Sequence, residues 1–203
     1  MHQVIPLFNF PLYVSYAENL DIFYLKNQAD KANYVDPAGE ISVQSSDENI
    51  LSKLPNLENI IRTHVDEYLY NVLSVEKSFE YIISDCWFVR VEPDGGSNLH
   101  FHSNSLFSGV IYISVSNKSN ITFSLFERTP SCTVKYNLPF KSYNVSNCLN
   151  WTVEVEDKQV LIFPAGLYHK VNKNMSNERR YSIAFNIMPY NYSFQWPGQR
   201  INY

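Results

Sequence analysis

The sequence predicts a mainly β protein, an antiparallel sandwich or barrel with helices near its N-terminus. Apolar residues recur every three or four positions only within about the first 75 residues, which is the spacing of an amphipathic helix. After Lys77 the spacing changes to two, and several short segments follow one another without a helical pattern between them. Parallel strands need long crossover connections, so this succession favours antiparallel pairing.

A helix is predicted to begin near Pro55, because proline suits the first helical turn and an apolar stripe follows it. The stripe comprises Leu57, Ile60, Ile61, Val65, Tyr68, Leu69 and Val72. His64 lies beside the stripe and is interpreted as a boundary histidine rather than a ligand, since histidine is often half-buried. An earlier helix is expected around Glu18–Ala32.

Seven strands are predicted after the helices, each bounded by Asn, Ser, Pro or Asp. They are Tyr81–Val91, Ser105–Ser116, Ile121–Phe126, Cys132–Leu138, Trp151–Glu156, Gln159–Phe163 and Arg180–Met188. A chain of 203 residues is most simply one domain. We divide it into a mainly helical layer at 1–76, a β core at 77–190 and a C-terminal tail at 191–203. The aromatic residues of the tail predict that it docks on its own core or on a second subunit, as in a homodimer.

Composition restricts the partners and the compartment. A formal charge of -4 and a pI near 5.7 provide no basic surface for nucleic acid. The three cysteines, Cys86, Cys132 and Cys148, form no CxxC pair, which is typical of a reducing compartment. No apolar run approaches the roughly 20 residues of a membrane span. The N-terminus lacks the pattern of a signal peptide, so a cytoplasmic protein without membrane partners is expected.

Two of the five histidines, His100 and His102, occupy alternate positions in the stretch NLHFHSNSLFSGV. On a strand, side chains two residues apart share a face and lie about 6.6 Å apart along the chain. Two imidazoles at that spacing can bind one metal ion. The same pattern also arises when two surface histidines only form hydrogen bonds, so the motif alone leaves both interpretations open.

Two later segments add candidate residues. In QVLIFPAGLYHKV, His169 follows a buried strand and a Pro-Ala-Gly turn. In RRYSIAFNIM, one strand face is apolar and the other carries Arg180, Ser182, Ala184 and Asn186. An arginine turned into a barrel is costly unless an anion meets it. The polar face of this strand therefore indicates a binding site for an anionic group.

These segments, taken in order, resemble the iron(II)- and 2-oxoglutarate-dependent oxygenases. The resemblance rests on HxH followed by SLFSGVIYI, then IFPAGLYH, then RYSIAFN, and it extends from about Trp87 to Met188. Within the superfamily the chain is most similar to the 2OG-Fe(II) oxygenases of bacteria and phages. The resemblance implies a double-stranded β-helix, the jelly-roll or cupin-like barrel, which agrees with the strand pattern.

The resemblance also implies a catalytic metal site. His100 matches the first iron ligand of the family and His169 matches the distal one. The middle position, which is usually Asp or Glu, is His102 in this chain. Asp94, in the preceding turn, is the reserve candidate for a carboxylate ligand. Iron(II), 2-oxoglutarate and oxygen are the implied cofactor and co-substrates.

Three further residues match the family's co-substrate site. Arg180 matches the basic residue that pairs with the distal carboxylate of 2-oxoglutarate, and Ser182 would bind the same group. Tyr112, on the strand after the HxH motif, would donate its phenol to the co-substrate. A guanidinium suits a carboxylate because it can donate two parallel hydrogen bonds.

The implied reaction is hydroxylation of a small molecule or protein side chain, with release of succinate and carbon dioxide. Two alternatives remain open from the sequence. One is a three-histidine cupin-type enzyme that does not use 2-oxoglutarate. The other is a non-catalytic jelly-roll module, for example a phage structural or binding protein. Trp87 is interpreted as a core or interface aromatic residue rather than a substrate platform.

Overall fold

Antiparallel β-sheets dominate the computed structural model, which describes residues 10–36, 42–115, 120–125, 140–145 and 147–190, and the backbone of 195–196 and 199–200. The main sheet has seven strands in the spatial order β1 (Tyr13–Tyr16), β8 (Gln159–Pro164), β5 (Phe107–Ser114), β10 (Arg180–Pro189), β4 (Tyr81–Val91), β3 (Ser42–Ser45) and β2 (Tyr34–Val35). A second sheet contains β7 (Asn150–Glu154), β6 (Asn120–Ser124) and β9 (Tyr168–Val171). The predicted mainly β class is confirmed.

Two helices precede most of the strands. Helix α1 spans Ile22–Lys31, and the Asp21 side chain caps it by accepting a hydrogen bond of 2.9 Å from the backbone N–H of Tyr24. Helix α2 spans Pro55–Asp66 and continues as a π-helical segment, Glu67–Val72. Both predicted helices are confirmed. No helix within the described ranges is long and apolar enough to span a bilayer.

Six of the predicted strands correspond to β4, β5, β6, β7, β8 and β10. The other one, Cys132–Leu138, lies outside the described residues. Strand β9, in the second sheet, was not predicted. Strands β1, β2 and β3 were not predicted either. They are two to four residues long, too short for a reliable alternating pattern, and they lie toward the two edges of the main sheet. The N-terminal part thus contributes strands as well as helices. A short hairpin, β11 (Gln195–Trp196) with β12 (Gln199–Arg200), lies in the C-terminal tail.

The main sheet has an apolar cluster on each face. One face packs against the helices through Leu57, Ile61, Val65, Tyr181, Ile183, Phe185 and Ile187, among others. The other faces the second sheet, with Tyr112, Ile121, Phe123, Leu161, Phe163 and Leu167 in the cluster between them. Strand β10 lies between β5 and β4 in the sheet, and because the helices cover one side of the sheet and the second sheet covers the other, most of its side chains are buried on both faces. Its polar face, from Arg180 to Asn186, therefore points into the space between the two sheets.

Gly109 on β5 allows the close approach of Phe185, its partner on β10. A Cβ atom at position 109 would lie 2.1 Å from Cζ of the fully buried Phe185 ring. We expect Gly109→Ala to lower the free energy of unfolding by about 1–3 kcal/mol, because the ring has to leave its packed position. Chemical denaturation measures this change. Gly166→Ala is the matched control, since no atom lies within 4 Å of its added Cβ. Equal midpoints for the two variants would contradict the prediction.

Candidate metal centre

Three histidines converge at one end of the space between the sheets. His100 and His102 lie in the connection between β4 and β5, and His169 lies on β9. Each residue offers one possible ligand atom, and these atoms all lie within 4.8 Å of one another. The ring centroids of His100 and His169 are 4.4 Å apart, and those of His102 and His169 are 5.3 Å apart. The arrangement can hold one metal ion.

Backbone pairing brings the HxH motif to His169. The N–H of His100 donates to the carbonyl of His169 at 3.0 Å, and the N–H of His169 donates back at 2.8 Å. The N–H of His102 donates to the carbonyl of Ala165 at 2.9 Å. The prediction that the motif lies on a strand is therefore wrong in detail. His100 forms one isolated bridge with His169, and the rest of the motif is a loop.

Hydrogen bonds fix the protonation of two of the rings. Nδ1 of His100 lies 2.8 Å from the carbonyl oxygen of Asn98, and Nδ1 of His169 lies 2.9 Å from that of Leu167. A carbonyl oxygen can only accept, so Nδ1 carries the proton in both neutral rings. Nε2 then has the free electron pair that a metal ion requires. Histidine ligands of metals commonly donate their other ring N–H in this way.

Burial favours the neutral form of His102 and His169. His169 is 6 % exposed, and burial lowers its pKa to about 3, with the neighbouring His100 acting in the same direction. Burial also lowers the pKa of His102, although the hydrogen bond that His102 donates to Asn186 acts in the opposite direction. Neutral rings with a free nitrogen are the form that binds a metal ion.

Aromatic side chains enclose the histidines. The Phe163 ring lies edge-on to His169 with a centroid distance of 4.8 Å, and the Phe123 centroid lies at 6.1 Å. Trp87 on β4 is half-buried, and its ring lies 6.2 Å from that of His102. These rings exclude water from one side of the cluster. Trp87, interpreted from the sequence as a core or interface residue, therefore borders the candidate site.

Arg180 is a buried cation at the other end of the polar face of β10. It is 2 % exposed, and its Nη1 donates to the carbonyl of Asn120 at 3.3 Å. Its Cζ lies 4.8 Å from the centroid of the Tyr112 ring. Nε of Arg180 and the hydroxyl of Tyr112 are buried and have no hydrogen-bond partner among the described residues. Within the same residues, Arg180 forms no salt bridge with a carboxylate.

Tyr112 and Ser182 lie beside this cation. The two residues are directly opposite each other in the pairing of β5 with β10, and both are buried. Burial raises the pKa of the Tyr112 phenol, while the Arg180 charge acts in the opposite direction. The phenol therefore keeps its proton at neutral pH and can donate it in a hydrogen bond. Together the three side chains form a donor-rich pocket that an anion would satisfy.

The histidines and Arg180 both contact strand β6. Arg180 reaches Asn120 on β6, and Phe123, three residues along that strand, pairs with His169. Three residues of strand span about 10 Å. The histidines and the guanidinium thus lie at different positions along the same strand, on the side of the main sheet that faces the second sheet.

The reserve ligand Asp94 lies elsewhere. It occupies an exposed turn with a φ of 63°, and its Oδ1 lies 2.9 Å from Nζ of Lys173. It is not part of the histidine cluster. The sequence analysis did not anticipate the partners of His102, whose Nδ1 lies 2.7 Å from Oδ1 of Asn186 and 2.9 Å from Oγ of Ser108. The alternation of β10 placed Asn186 on the inward face, but nothing in the sequence linked it to His102.

Comparison with known proteins identifies a family. Residues 85–186 match the sequence profile of the family described as "Putative 2OG-Fe(II) oxygenase". No curated protein matches the chain in sequence.

Solved structures show the same fold at low sequence identity. HygX from Streptomyces hygroscopicus was solved with nickel, 2-oxoglutarate and hygromycin B bound. It is 13 % identical to this chain with a TM-score of 0.62, and the alignment covers 89 % of this chain and 83 % of the HygX chain. A prolyl-4-hydroxylase from Pseudomonas putida is 12 % identical with a TM-score of 0.53, and the alignment covers 87 % of this chain and 92 % of the hydroxylase chain. The α-ketoglutarate-dependent epimerase SnoN is 13 % identical with a TM-score of 0.61, and the alignment covers 87 % of this chain and 76 % of the SnoN chain. The predicted double-stranded β-helix is confirmed.

The buried neutral state of His169 predicts how stability depends on pH. Its pKa falls to about 3 on folding, from about 6.5 in an unfolded chain. Between these values the unfolded chain binds a proton that the folded chain does not, so stability falls as the pH falls through this window. We expect the unfolding free energy of the metal-free protein to change by up to about 1.4 kcal/mol per pH unit more than that of His169→Gln.

Denaturation in a chelating buffer at several pH values between about 3 and 6.5 measures the difference. Burial lowers the pKa of His64 as well, but this residue is present in both proteins and its contribution cancels. Parallel pH profiles for the two proteins would contradict the prediction.

Proposed function

Because the chain belongs to the 2OG-Fe(II) oxygenases, we propose that it hydroxylates a C–H bond of a small molecule or a protein side chain. Oxygenases of this family use iron, 2-oxoglutarate and oxygen. The observation that carries the proposal is that a cluster of three histidines and a buried guanidinium, which has no anionic partner among the described residues, contact the same strand.

We assign the metal to His100, His102 and His169. The donor set fits iron, since imidazole nitrogen is a usual ligand of this metal and the three candidate atoms face one point. A set of three neutral ligands leaves the site one unit more positive than the usual two histidines and one carboxylate. The extra positive charge favours the binding of an anionic co-substrate.

We assign 2-oxoglutarate to Arg180, Ser182 and Tyr112. The guanidinium lacks an anionic partner among the described residues, and a carboxylate would satisfy both its charge and its unpaired Nε. The Tyr112 hydroxyl is a second unsatisfied donor in the same pocket. When bound, iron, 2-oxoglutarate and O2 together would supply the oxidising chemistry: one oxygen atom enters succinate as 2-oxoglutarate loses carbon dioxide, and the other enters the substrate.

The remaining residues position and protect the reactants. Phe123 and Phe163 cover His169 and keep bulk water from it. Trp87 is half-buried and its ring lies beside that of His102, and we propose that it contacts the substrate. The chain's own contribution is thus binding, orientation and exclusion of water.

Hydroxylation is proposed over epimerisation, which the neighbour SnoN catalyses. The prolyl-4-hydroxylase neighbour supports hydroxylation by the same fold. Isotopic oxygen gas distinguishes the two outcomes, because a hydroxylated product carries one labelled oxygen atom and an epimerised one carries none. A cupin-type reaction without 2-oxoglutarate would release no succinate. Screening metabolite and peptide pools for succinate release would identify the substrate class.

Iron(II) and 2-oxoglutarate added without oxygen should produce a weak visible absorption band, which reports both bound to one centre. We expect His102→Leu to lose the band and the bound iron, because two ligands do not complete the site. His102→Asp restores the usual donor types and should retain measurable iron. His64→Gln is the control, since His64 is hydrogen-bonded to Tyr13 and is not part of the histidine cluster. Full iron binding by His102→Leu would remove this residue from the ligand set.

Arg180→Met should weaken 2-oxoglutarate binding at least tenfold, because a hydrogen bond to a charged group contributes about 1.5–3 kcal/mol. The dissociation constant is measured by titration of the iron(II) protein without oxygen. The same substitution should leave the metal-free protein at least as stable, since it replaces a desolvated cation by an apolar side chain of similar length. Arg179→Met is the matched control, because Arg179 is exposed and paired with Glu92. Unchanged 2-oxoglutarate affinity in Arg180→Met would refute the assignment.

A further inference from the structure

Asn186 connects His102 to two other strands of the main sheet. It is 5 % exposed and lies on the inward face of β10. Its Oδ1 lies 2.7 Å from Nδ1 of His102 and 2.9 Å from Oγ of Ser108 on β5. Its Nδ2 lies 3.3 Å from Oδ2 of Asp85, the residue directly opposite on β4.

Asp85 determines which way the amide of Asn186 faces. An asparagine side chain can be turned by 180° with little change in shape, so its neighbours decide the orientation. A carboxylate oxygen can only accept, and therefore Nδ2 has to face Asp85. Oδ1 then faces His102 and Ser108. The Ser84 hydroxyl donates to the same carboxylate oxygen at 2.8 Å and helps to hold it in place.

The orientation of the amide in turn determines the protonation of His102. An amide oxygen can only accept, so Nδ1 of His102 has to carry the proton. Its Nε2 is then free to bind a metal ion. The Nδ1 protons of His100 and His169 are instead held by the backbone carbonyl two residues earlier in the chain. Among the three histidines, His102 alone depends on side chains for its tautomer within the described residues.

We infer that Asp85 and Asn186 are positioning residues that hold His102 in its metal-binding tautomer. The inference rests on the proposed function in assigning His102 to the metal. We call the hydrogen-bonded chain from Asp85 through Asn186 to His102 the relay. It also places a carboxylate behind His102, the ligand at the position where the superfamily usually has Asp or Glu. A hydrogen-bonded acceptor behind a histidine increases its basicity as a ligand. Asp85 acting through Asn186 thus supplies part of the negative charge that the three-histidine set lacks.

Three variants test the relay. Asn186→Leu removes the amide acceptor and leaves beside Nδ1 only the Ser108 hydroxyl, which can either donate or accept. We therefore expect about 10- to 100-fold weaker binding of cobalt(II) with a mixed tautomer at His102. The exchanged pair, Asp85→Asn with Asn186→Asp, keeps an acceptor toward His102, a donor between the two residues and the same net charge, so the tautomer and the affinity should be retained. Asp85→Asn keeps the shape but lets the amide turn, and we expect a smaller loss of about 3- to 10-fold together with partial loss of the tautomer.

Two measurements on each protein separate positioning from folding. Nitrogen-15 NMR of the metal-free protein reports the tautomer of His102, and cobalt(II) titration reports affinity. Ser105→Ala is the matched control, because Ser105 Oγ lies 3.5 Å from the same Asn186 oxygen and outside the contacts of His102. In every variant, the tautomers of His100 and His169 should stay unchanged.

The relay is refuted if Asn186→Leu or Asp85→Asn keeps the single Nδ1–H tautomer and the original affinity. Failure of the exchanged pair, Asp85→Asn with Asn186→Asp, to keep the tautomer and affinity that Asn186→Leu loses would also overturn it. If the unaltered protein binds no cobalt(II) or iron(II), the proposed function is wrong. The tautomer measured in the metal-free protein still decides the relay in that case.

Discussion

The pairing of the β4–β5 connection with the segment 165–171 is the interaction on which the candidate site depends. Two reciprocal backbone hydrogen bonds join His100 to His169, and a third joins His102 to Ala165. Backbone hydrogen bonds fix position without using side chains, so the imidazoles remain available. Without this pairing, His100 and His102 would lie on an untethered loop, and the cluster would have no fixed geometry.

The second constraint is electrostatic. The space between the sheets contains a buried guanidinium, three imidazoles and a phenol that keeps its proton, so it is rich in donors and positive in charge. Water removed from such a space leaves donors unsatisfied, which costs free energy in the absence of a ligand. Apolar packing on the opposite face of the main sheet, around Phe185 and Ile61, offsets this cost. Stability and function are thus divided between the two faces of β10.

The sequence predicts the larger elements well because their hydrophobic patterns are long. Strand β4 and helix α2 follow directly from periods of two and of 3.6 residues. The inward face of β10 is also predictable, since an arginine interrupts an otherwise apolar strand. By contrast, β1 to β3 are too short to produce a pattern. The contacts of Asn186 with Asp85 and His102 join residues distant in the chain, so no local pattern encodes them.

The reciprocal bonds between His100 and His169 also bear on the order of folding. Sixty-nine positions separate these residues, so forming the bridge closes a long loop, with a large loss of chain entropy. Contacts between distant residues tend to form slowly. We therefore expect the metal-binding end of the barrel to form late, after the core against the helices. A metal ion that binds only the closed barrel would then shift the equilibrium from the form in which this end of the barrel is open toward the native form.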